Sequence, residues 1–259
     1  MKKYPVYKNS GSEWIANIPR EWNIKRLKYV AKINPSRPAY ISAELPCVFI
    51  PMETMNVDGT FDNSITKPFS ELKTGFTYFA ENDVIFAKIT PCFENGKGAL
   101  LKNLGSEIGF GSTEFHVLRA IANFTTPEFL YYITISGLFR SVGKAFMQGV
   151  AGQKRVTNDF VQNFVIGLPS IQEQAGIAYF LDRKTAQIDG LIARKERMIE
   201  LLKEERTAVI NQAVTKGLNP KAELKDSGIE WLGKIPKHWR IKRLKYVLRN
   251  RKGSLKTGP

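Results

Sequence analysis

The opening of this chain of 259 residues occurs twice. The first copy is residues 8–30, KNSGSEWIANIPREWNIKRLKYV, and the second is residues 225–247, KDSGIEWLGKIPKHWRIKRLKYV. The copies align without a gap at an offset of 217, and 15 of the 23 positions are identical. Solenoid repeats have periods of roughly 20–50 residues, so this spacing indicates a duplicated domain instead. The sequence predicts one whole unit, 1–217, and the truncated start of a second, 218–259.

The composition favours a folded, cytoplasmic protein without a membrane segment. The chain is 43% hydrophobic, which suffices for a core, and no apolar run approaches the ~18 residues of a membrane span. The N-terminus also lacks the apolar stretch of a signal peptide. Cys47 and Cys92 match no metal or redox spacing, and the chain has only His116 and His238 besides. We expect two reduced thiols and no metal site.

Positive charge is concentrated toward the end of the sequence. Residues 218–259 hold 12 Lys and Arg against Glu223, Asp226 and Glu230, a net charge of +9 out of +15 for the chain. A basic excess of this size favours a polyanionic partner, nucleic acid above all, through phosphate neutralisation and counterion release. For the tail, a merely solvated basic surface remains the alternative.

Residues 1–168 consist of short apolar runs separated by Gly, Pro and Asn. This pattern predicts an α+β fold with a mixed, mainly antiparallel sheet. Thr126 as N-cap and Pro127 at the first helical position predict one or two helices beyond them. The expected strands are Pro46–Met52, Val84–Ile89, Phe115–Leu118 and Phe164–Leu168, and the expected turns are Val57–Gly59, Glu94–Gly96 and Leu104–Gly105.

Residues 169–217 predict one long helix. Ser170 and Glu173 have the spacing of a reciprocal capping box, and Gly217 suits the position after the last turn. About 46 helical residues would span roughly 70 Å, and a stripe of that length needs a partner helix. Packing on its own domain alone is the alternative. The predicted helix interface, interrupted by Lys195, is Leu181, Ile188, Leu191, Ile192, Met198, Ile199, Leu202 and Val209, with Ala213 beyond it.

Four short segments resemble catalytic motifs, but each lacks a residue or a context that the motif requires. The spacing from Gly137 to Lys144 is one residue too long for a phosphate-binding loop, and Gly109-Phe110-Gly111 lacks the third glycine of a dinucleotide loop. Asn34-Pro35-Ser36 is not the motif with which adenine methyltransferases hold a flipped base. Glu223-Leu224-Lys225 lies in an expected linker without a supporting aspartate. The sequence therefore predicts a chain without catalytic residues.

A glycine-containing loop offers the best candidates for DNA contacts. Gln can pair with the N6 and N7 of adenine, and Arg or Lys with the O6 and N7 of guanine. The repeated Lys25–Tyr29 run favours a structural role, because both copies keep its apolar members. The candidates in the loop 147–155 are Gln148, Gly149, Gly152, Gln153, Lys154 and Arg155, and those on other turns or strand ends are Lys88, Asn95, Lys97, Ser112 and Thr113.

Three stretches, 168–192, 197–218 and 226–247, resemble the specificity subunit of type I restriction-modification enzymes. The resemblance covers the whole chain and is diffuse over 34–160. It implies a target-recognition domain, 1–168, followed by a spacer helix, 169–217, which pairs as an antiparallel coiled coil. The chain departs from the family pattern by ending at the start of a second unit, so it resembles a half-length form.

The resemblance also implies partners and cofactors. A specificity subunit reads an interrupted DNA target and docks modification (methyltransferase) subunits and restriction/motor subunits. S-adenosylmethionine, ATP and Mg belong to those partner subunits, so no cofactor is expected here. A half-length form would act as a homodimer through its long helix. The open alternatives are a helix-mediated interaction or scaffold protein, an inactive truncated fragment, and a stand-alone nuclease or methyltransferase.

Overall fold

The computed structural model describes residues 4–150 and 152–248. They fall into two compact units, which divide between Lys184 and Thr185. The strands are β1 Tyr7–Asn9, β2 Asn17–Pro19, β3 Asn23–Arg26, β4 Ala31–Ile33, β5 Pro46–Ile50, β6 Thr66–Pro68, β7 Thr77–Ala80, β8 Val84–Ala87, β9 Gly98–Leu100, β10 Ile108–Gly111, β11 Phe115–Ala120, β12 Val165–Leu168, β13 Leu224–Asp226 and β14 Lys234–Pro236. The α-helices are α1 Phe69–Leu72, α2 Pro127–Ile135, α3 Gly137–Ala145, α4 Asn158–Asn163 and α5 Ile171–Lys216, and 3-10 turns occupy Leu27–Tyr29, Met52–Thr54 and Leu244–Tyr246.

The first unit contains two four-stranded sheets, ordered β6-β5-β10-β7 and β4-β11-β8-β9, and the small sheets β1-β2 and β12-β3. All strand pairs are antiparallel except β5 with β10. This confirms the predicted mixed, mainly antiparallel fold. All four predicted strands form, although β5 ends at Ile50 because Pro51 leads into a 3-10 turn.

An aromatic cluster joins the helices to the sheet β4-β11-β8-β9. Phe139 of α3 is fully buried, and its ring lies 4.9 Å from that of Phe164 and 5.5 Å from those of Phe86 and Phe160. The predicted helical region is two helices, because Ser136 has an extended backbone and its hydroxyl accepts the amide of Phe139 at 3.2 Å. These contacts fix the position of the segment that follows α3.

The start of α5 is held by side chains from the first unit. Ser170 Oγ accepts the amide of Glu173 at 3.3 Å, as predicted. The prediction that the Glu173 side chain reaches back to Ser170 is wrong. The Glu173 carboxylate instead accepts hydrogen bonds from Trp22 Nε1 at 3.1 Å and from the Tyr4 hydroxyl. The fully buried Gln174 accepts from the Thr126 amide at 3.1 Å and donates to two backbone carbonyls. The helix has no internal break.

The end of α5 and the residues beyond it belong to the second unit. Gly217 adopts φ +76° and ends the helix where predicted. Within the described residues 218–248, β13 and β14 form an antiparallel hairpin. Leu224 and Lys225 lie in that hairpin rather than in a linker, and Glu223 pairs with Lys237 at 2.9 Å. No helix within 4–150 or 152–248 is long and apolar enough to cross a membrane.

Candidate nucleic-acid interface

The loop 147–155, here called the glycine loop, closes on itself through its backbone. Gln148 N donates to Arg155 O at 3.0 Å, and Arg155 N donates to Gln148 O at 2.8 Å. Gly149 has φ +129°, and a Cβ there would lie 2.8 Å from the carbonyl oxygen of Gln153. Glycine is therefore required at position 149 for the chain to turn back so tightly.

The glycine loop is also attached to the strand that continues from β8. Thr90 N donates to Lys154 O at 2.9 Å, and Lys154 N donates to Thr90 Oγ1 at 3.1 Å. Val156 N then donates to Lys88 O at 2.8 Å. The lysines at positions 88 and 154 consequently lie on neighbouring segments, and the Lys154 side chain is exposed.

Arg155 is fixed by an ion pair with Glu114. Arg155 Nε donates to Glu114 Oε2 at 2.9 Å, NH2 donates to Oε1 at 2.8 Å, and NH1 donates to Gln153 O at 3.2 Å. The hydrogen bonds from Arg155 lower the pKa of the Glu114 carboxyl, with the charge of Lys88 acting in the same direction. Three of the five N–H donors of Arg155 are thus engaged within the protein.

Asn34 connects the first strands of the unit to the same region, and it was not among our candidates. Its backbone has φ +48°, a conformation that asparagine tolerates better than most residues. Asn34 Oδ1 accepts the Val117 amide at 2.9 Å, and Nδ2 donates to His116 Nδ1 and to Asn158 Oδ1, each at 3.2 Å. The Asn-Pro dipeptide signalled a turn here, but nothing local signalled these partners.

His116 is buried between the sheet and the glycine loop. Its Nε2 lies 2.9 Å from the carbonyl oxygen of Val156, and its Nδ1 faces the amide nitrogen of Asn34. The Oδ1 of Asn34 is held by Val117, so the neutral tautomer with the proton on Nε2 satisfies every group. Burial lowers the pKa of His116, and Lys88 lowers it further. The imidazole is therefore a neutral structural link.

A groove of about 260 Å³ opens beside these residues. Lys88 and Tyr78 supply an ammonium and a phenol, and Arg119 packs over the Tyr78 ring at 5.5 Å. Such groups can contact phosphates and the donors and acceptors of base edges. Asn34, Pro35, Thr77, Tyr78, Lys88 and Phe115 line this groove.

The remaining candidates divide between two places. Ser112 and Thr113 immediately precede Glu114, and Ser112 Oγ accepts the Glu114 amide at 3.2 Å. They therefore adjoin Arg155. Asn95 is exposed on the turn that follows Pro91, while Lys97 donates to Met52 O at 3.2 Å. The structure thus groups Lys88, Ser112, Thr113 and the glycine loop. Asn95 lies on a separate turn, and Lys97 lies just after that turn.

The residues rejected as catalytic motifs have structural surroundings. Gly109 lies in β10, where a Cβ would be 2.3 Å from the Phe79 ring, and Gly143 lies in α3, where it would be 2.5 Å from the Phe93 ring. Cys47 is buried, which raises the pKa of its thiol, and both cysteines are free. Among the described residues, no three His, Cys, Asp or Glu side chains are grouped so as to hold a metal ion.

The predicted stripe of α5 is exposed to solvent along the second unit. Ile188, Ile199 and Val209 each expose more than half of their surface. Leu181 is half-buried, and three further exposed apolar residues of α5, Leu201, Ile210 and Val214, lie outside the predicted interface. The described residues of this chain leave the stripe uncovered, and its pairing with another helix stays a prediction.

The chain belongs to the family of the type I restriction modification DNA specificity domain, whose model matches residues 19–201. This confirms the resemblance found in the sequence. The type I restriction enzyme EcoEI and EcoAI specificity subunits of Escherichia coli are each 37% identical to this chain over 178 residues.

Those alignments cover 68% of this chain and 30% of each relative, so the chain matches about a third of their length. The crystal structure of the HsdS subunit from Thermoanaerobacter tengcongensis superposes with a TM-score of 0.59 at 22% identity. The superposition includes 80% of this chain and 52% of the HsdS chain. The similarity supports the fold described above.

Proposed function

We propose that this chain is the non-catalytic, DNA-reading component of a type I restriction-modification complex. The observation that carries the proposal is the family match over residues 19–201, which includes the whole glycine loop and most of the long helix. Residues 1–168 form the target-recognition domain, 169–217 the spacer helix, and 218–259 the start of a second unit. The domain reads one half of an interrupted target.

The glycine loop and the adjoining groove form the reading surface. Exposed Gln148 and Gln153 present amides suited to adenine edges, while Lys88 and Lys154 supply positive charge for phosphates. The net charge of +15 adds a sequence-independent attraction for the duplex. Arg155 acts first through Glu114, because their ion pair fixes the base of the loop.

The long helix pairs with another helix and docks modification subunits, which supply adenine methylation with S-adenosylmethionine. Restriction/motor subunits add ATP- and Mg-dependent cleavage, and the complex works in the cytoplasm. Support comes from the exposed apolar stripe, which a single chain leaves in water. Two copies joined antiparallel would present the same recognition domain twice. A two-fold dimer requires a two-fold target, an interrupted palindrome.

Mapping of methylated adenines in cells that carry this chain and its modification subunit tests the proposal. We expect an interrupted palindrome that is unchanged when residues 218–259 are deleted. An asymmetric motif would contradict the homodimer and require a second kind of recognition domain. Absence of any methylated motif would contradict the proposed function.

The exposed stripe also favours the second candidate, a helix-mediated scaffold protein, for which a truncated, non-reading recognition domain would suffice. Gel-shift titrations with random and preferred duplexes separate the two functions. A scaffold would assemble through α5 with no preference among sequences, whereas the proposed specificity subunit discriminates between duplexes. Both outcomes are independent of the methylation readout.

A further inference from the structure

The two sequence copies fold into the same local structure. In the first copy, β1 and β2 pair with Tyr7 opposite Pro19, and in the second, β13 and β14 pair with Leu224 opposite Pro236. These registers differ by the same 217 residues as the sequences. A 3-10 turn follows at Leu27–Tyr29 in one copy and at Leu244–Tyr246 in the other.

The first copy is completed by the segment that ends the recognition domain, here called the closing segment (residues 164–168). Strand β12 pairs antiparallel with β3, and Leu27 N donates to Phe164 O at 2.9 Å. Gly167 lies against Trp22, where a Cβ would be 3.0 Å from the indole Cε3. A side chain at position 167 would therefore crowd the indole, and the closing segment leaves Leu27 and Val30 fully buried.

The second copy has the same apolar residues without this cover. Leu244, the counterpart of Leu27, is 72% exposed rather than 0%, and Val247, the counterpart of Val30, is 64% exposed rather than 0%. Residues 240–243, the counterparts of β3, form no strand in the part of the chain that the structure describes. Within the described residues, the second copy thus has no strand beside these exposed apolar side chains.

An apolar groove of about 500 Å³ lies at this place, here called the second-copy groove. Trp239, the counterpart of Trp22, lines it together with Trp231, Ile235, Ile241 and Leu244. The run Ile241–Val247 is identical to residues 24–30, so each side chain that contacts the closing segment in that stretch of the first copy has an equivalent here.

We propose that the second-copy groove binds the closing segment of a further recognition domain. The occupant is a strand of the pattern aromatic–apolar–apolar–Gly–apolar, paired antiparallel with residues 240–243, with its glycine against Trp239. This chain's own closing segment is engaged by β3, so the occupant comes from another domain. Strand addition to an open edge provides affinity through main-chain hydrogen bonds, and alternate side chains provide specificity. The inference rests on the proposed function in taking the occupant to be a recognition domain, and it adds a partner beyond the homodimer, whose two closing segments are both engaged.

The test uses the full chain and a fluorescein-labelled peptide copying residues 158–174. Fluorescence anisotropy should show saturable binding, and the Ile241→Asp substitution should weaken it at least tenfold, because it places a charge in the groove. Leu218→Asp is the matched control, an exposed apolar residue of the same unit outside the groove lining, and should leave binding unchanged. A peptide with Gly167→Val should bind at least tenfold more weakly, which tests the pattern without altering the protein.

Hydrogen exchange locates the bound peptide. We expect protection of amides 240–244 and unchanged protection of 23–27. Lost protection at 165–168 would show that the peptide displaces the chain's own strand, which would overturn the proposal, as would binding that Ile241→Asp does not weaken. DNA binding measured on the same samples separates the two proposals. Sequence-specific DNA binding without peptide binding would contradict only the docking site. Peptide binding without sequence-specific DNA binding would contradict only the DNA-reading function.

Discussion

Arg155 and Glu114, 41 residues apart in the sequence, form a bidentate ion pair with NH2 to Oε1 at 2.8 Å and Nε to Oε2 at 2.9 Å. The pair joins the end of the glycine loop to the residue before β11. An arginine that supports a loop in this way affects recognition through the loop's position. Its contribution can be separated from a direct base contact, because its partner can be removed independently.

We predict that Arg155→Ala lowers the affinity for the preferred duplex by about 1–3 kcal/mol and relaxes the preference among sequences. Glu114→Ala should relax the preference by a similar amount, since it releases the same loop. Titration of preferred and random duplexes by fluorescence anisotropy measures both effects. If Glu114→Ala retains full preference while Arg155→Ala loses it, Arg155 reads a base directly. Equal losses on both duplexes would make Arg155 a phosphate contact instead.

Lys154 is exposed on the glycine loop, and we predict that it neutralises a phosphate. The logarithm of the binding constant should fall linearly with the logarithm of salt concentration, and Lys154→Gln should reduce that slope by about 0.9. The preference among sequences should remain. Lys203→Gln, on an exposed face of α5, serves as the control with an unchanged slope. An unchanged slope for Lys154→Gln would exclude this lysine from the interface.

The helix interface is tested by placing charge in the stripe. Ile188→Lys combined with Ile199→Lys should abolish self-assembly, because two lysines would lie where the partner's apolar side chains pack. The recognition domain should remain folded, since its core lies elsewhere. Ala193→Lys with Thr207→Lys adds the same charge to the opposite face and should not affect assembly. Light scattering that gives one mass for all three proteins would rule out this interface.

His116 predicts a pH dependence of folding. Burial makes its pKa in the folded protein lower than the ordinary 6.5, so the unfolded chain binds more protons just below that pH. The free energy of unfolding should therefore fall as pH drops below about 6.5, by at most about 1.4 kcal/mol per pH unit from this group, and should not depend on His116 above it.

Urea unfolding between pH 5 and 7.5 provides the measurement, in a range that avoids most carboxylate titration. His116→Gln retains a donor for the Val156 carbonyl but does not titrate, so its stability should be flatter across this range. His238→Gln, at an exposed position in the second unit, is the matched control. A slope that survives in His116→Gln would show that another group is responsible.

Local patterns predicted the elements but not the long-range contacts. The continuous apolar run Val84–Ala87 formed a strand buried along its whole length, and α5 began and ended at the predicted residues because Ser170 and Gly217 determine those positions locally. Helix α4 was missed, although Thr157 is its N-cap and accepts the amide of Phe160 at 3.1 Å.

The candidate site was predicted only in part, for the same reason. The glycine loop is visible in the sequence, since two glycines beside Gln, Lys and Arg form a local pattern. The partnership of Asn34 with His116 and Asn158 joins residues 82 and 124 positions apart. Sheet order and register bring such residues together, and these depend on the packing of the whole domain rather than on any short segment.

The pairing of β3 with β12 has a consequence for the order of folding. Lys25 lies opposite Ile166, 141 positions later, whereas the equivalent residue of the second copy, Lys242, is 76 positions beyond Ile166. Loop closure alone favours the nearer partner by about 0.6 kcal/mol, since each doubling of loop length costs about that much. Synthesis from the N-terminus favours the first copy instead. That copy is already synthesised when residue 168 is added, whereas the second copy is not. Vectorial synthesis therefore favours burial of the first copy over an almost identical competitor within the same polypeptide.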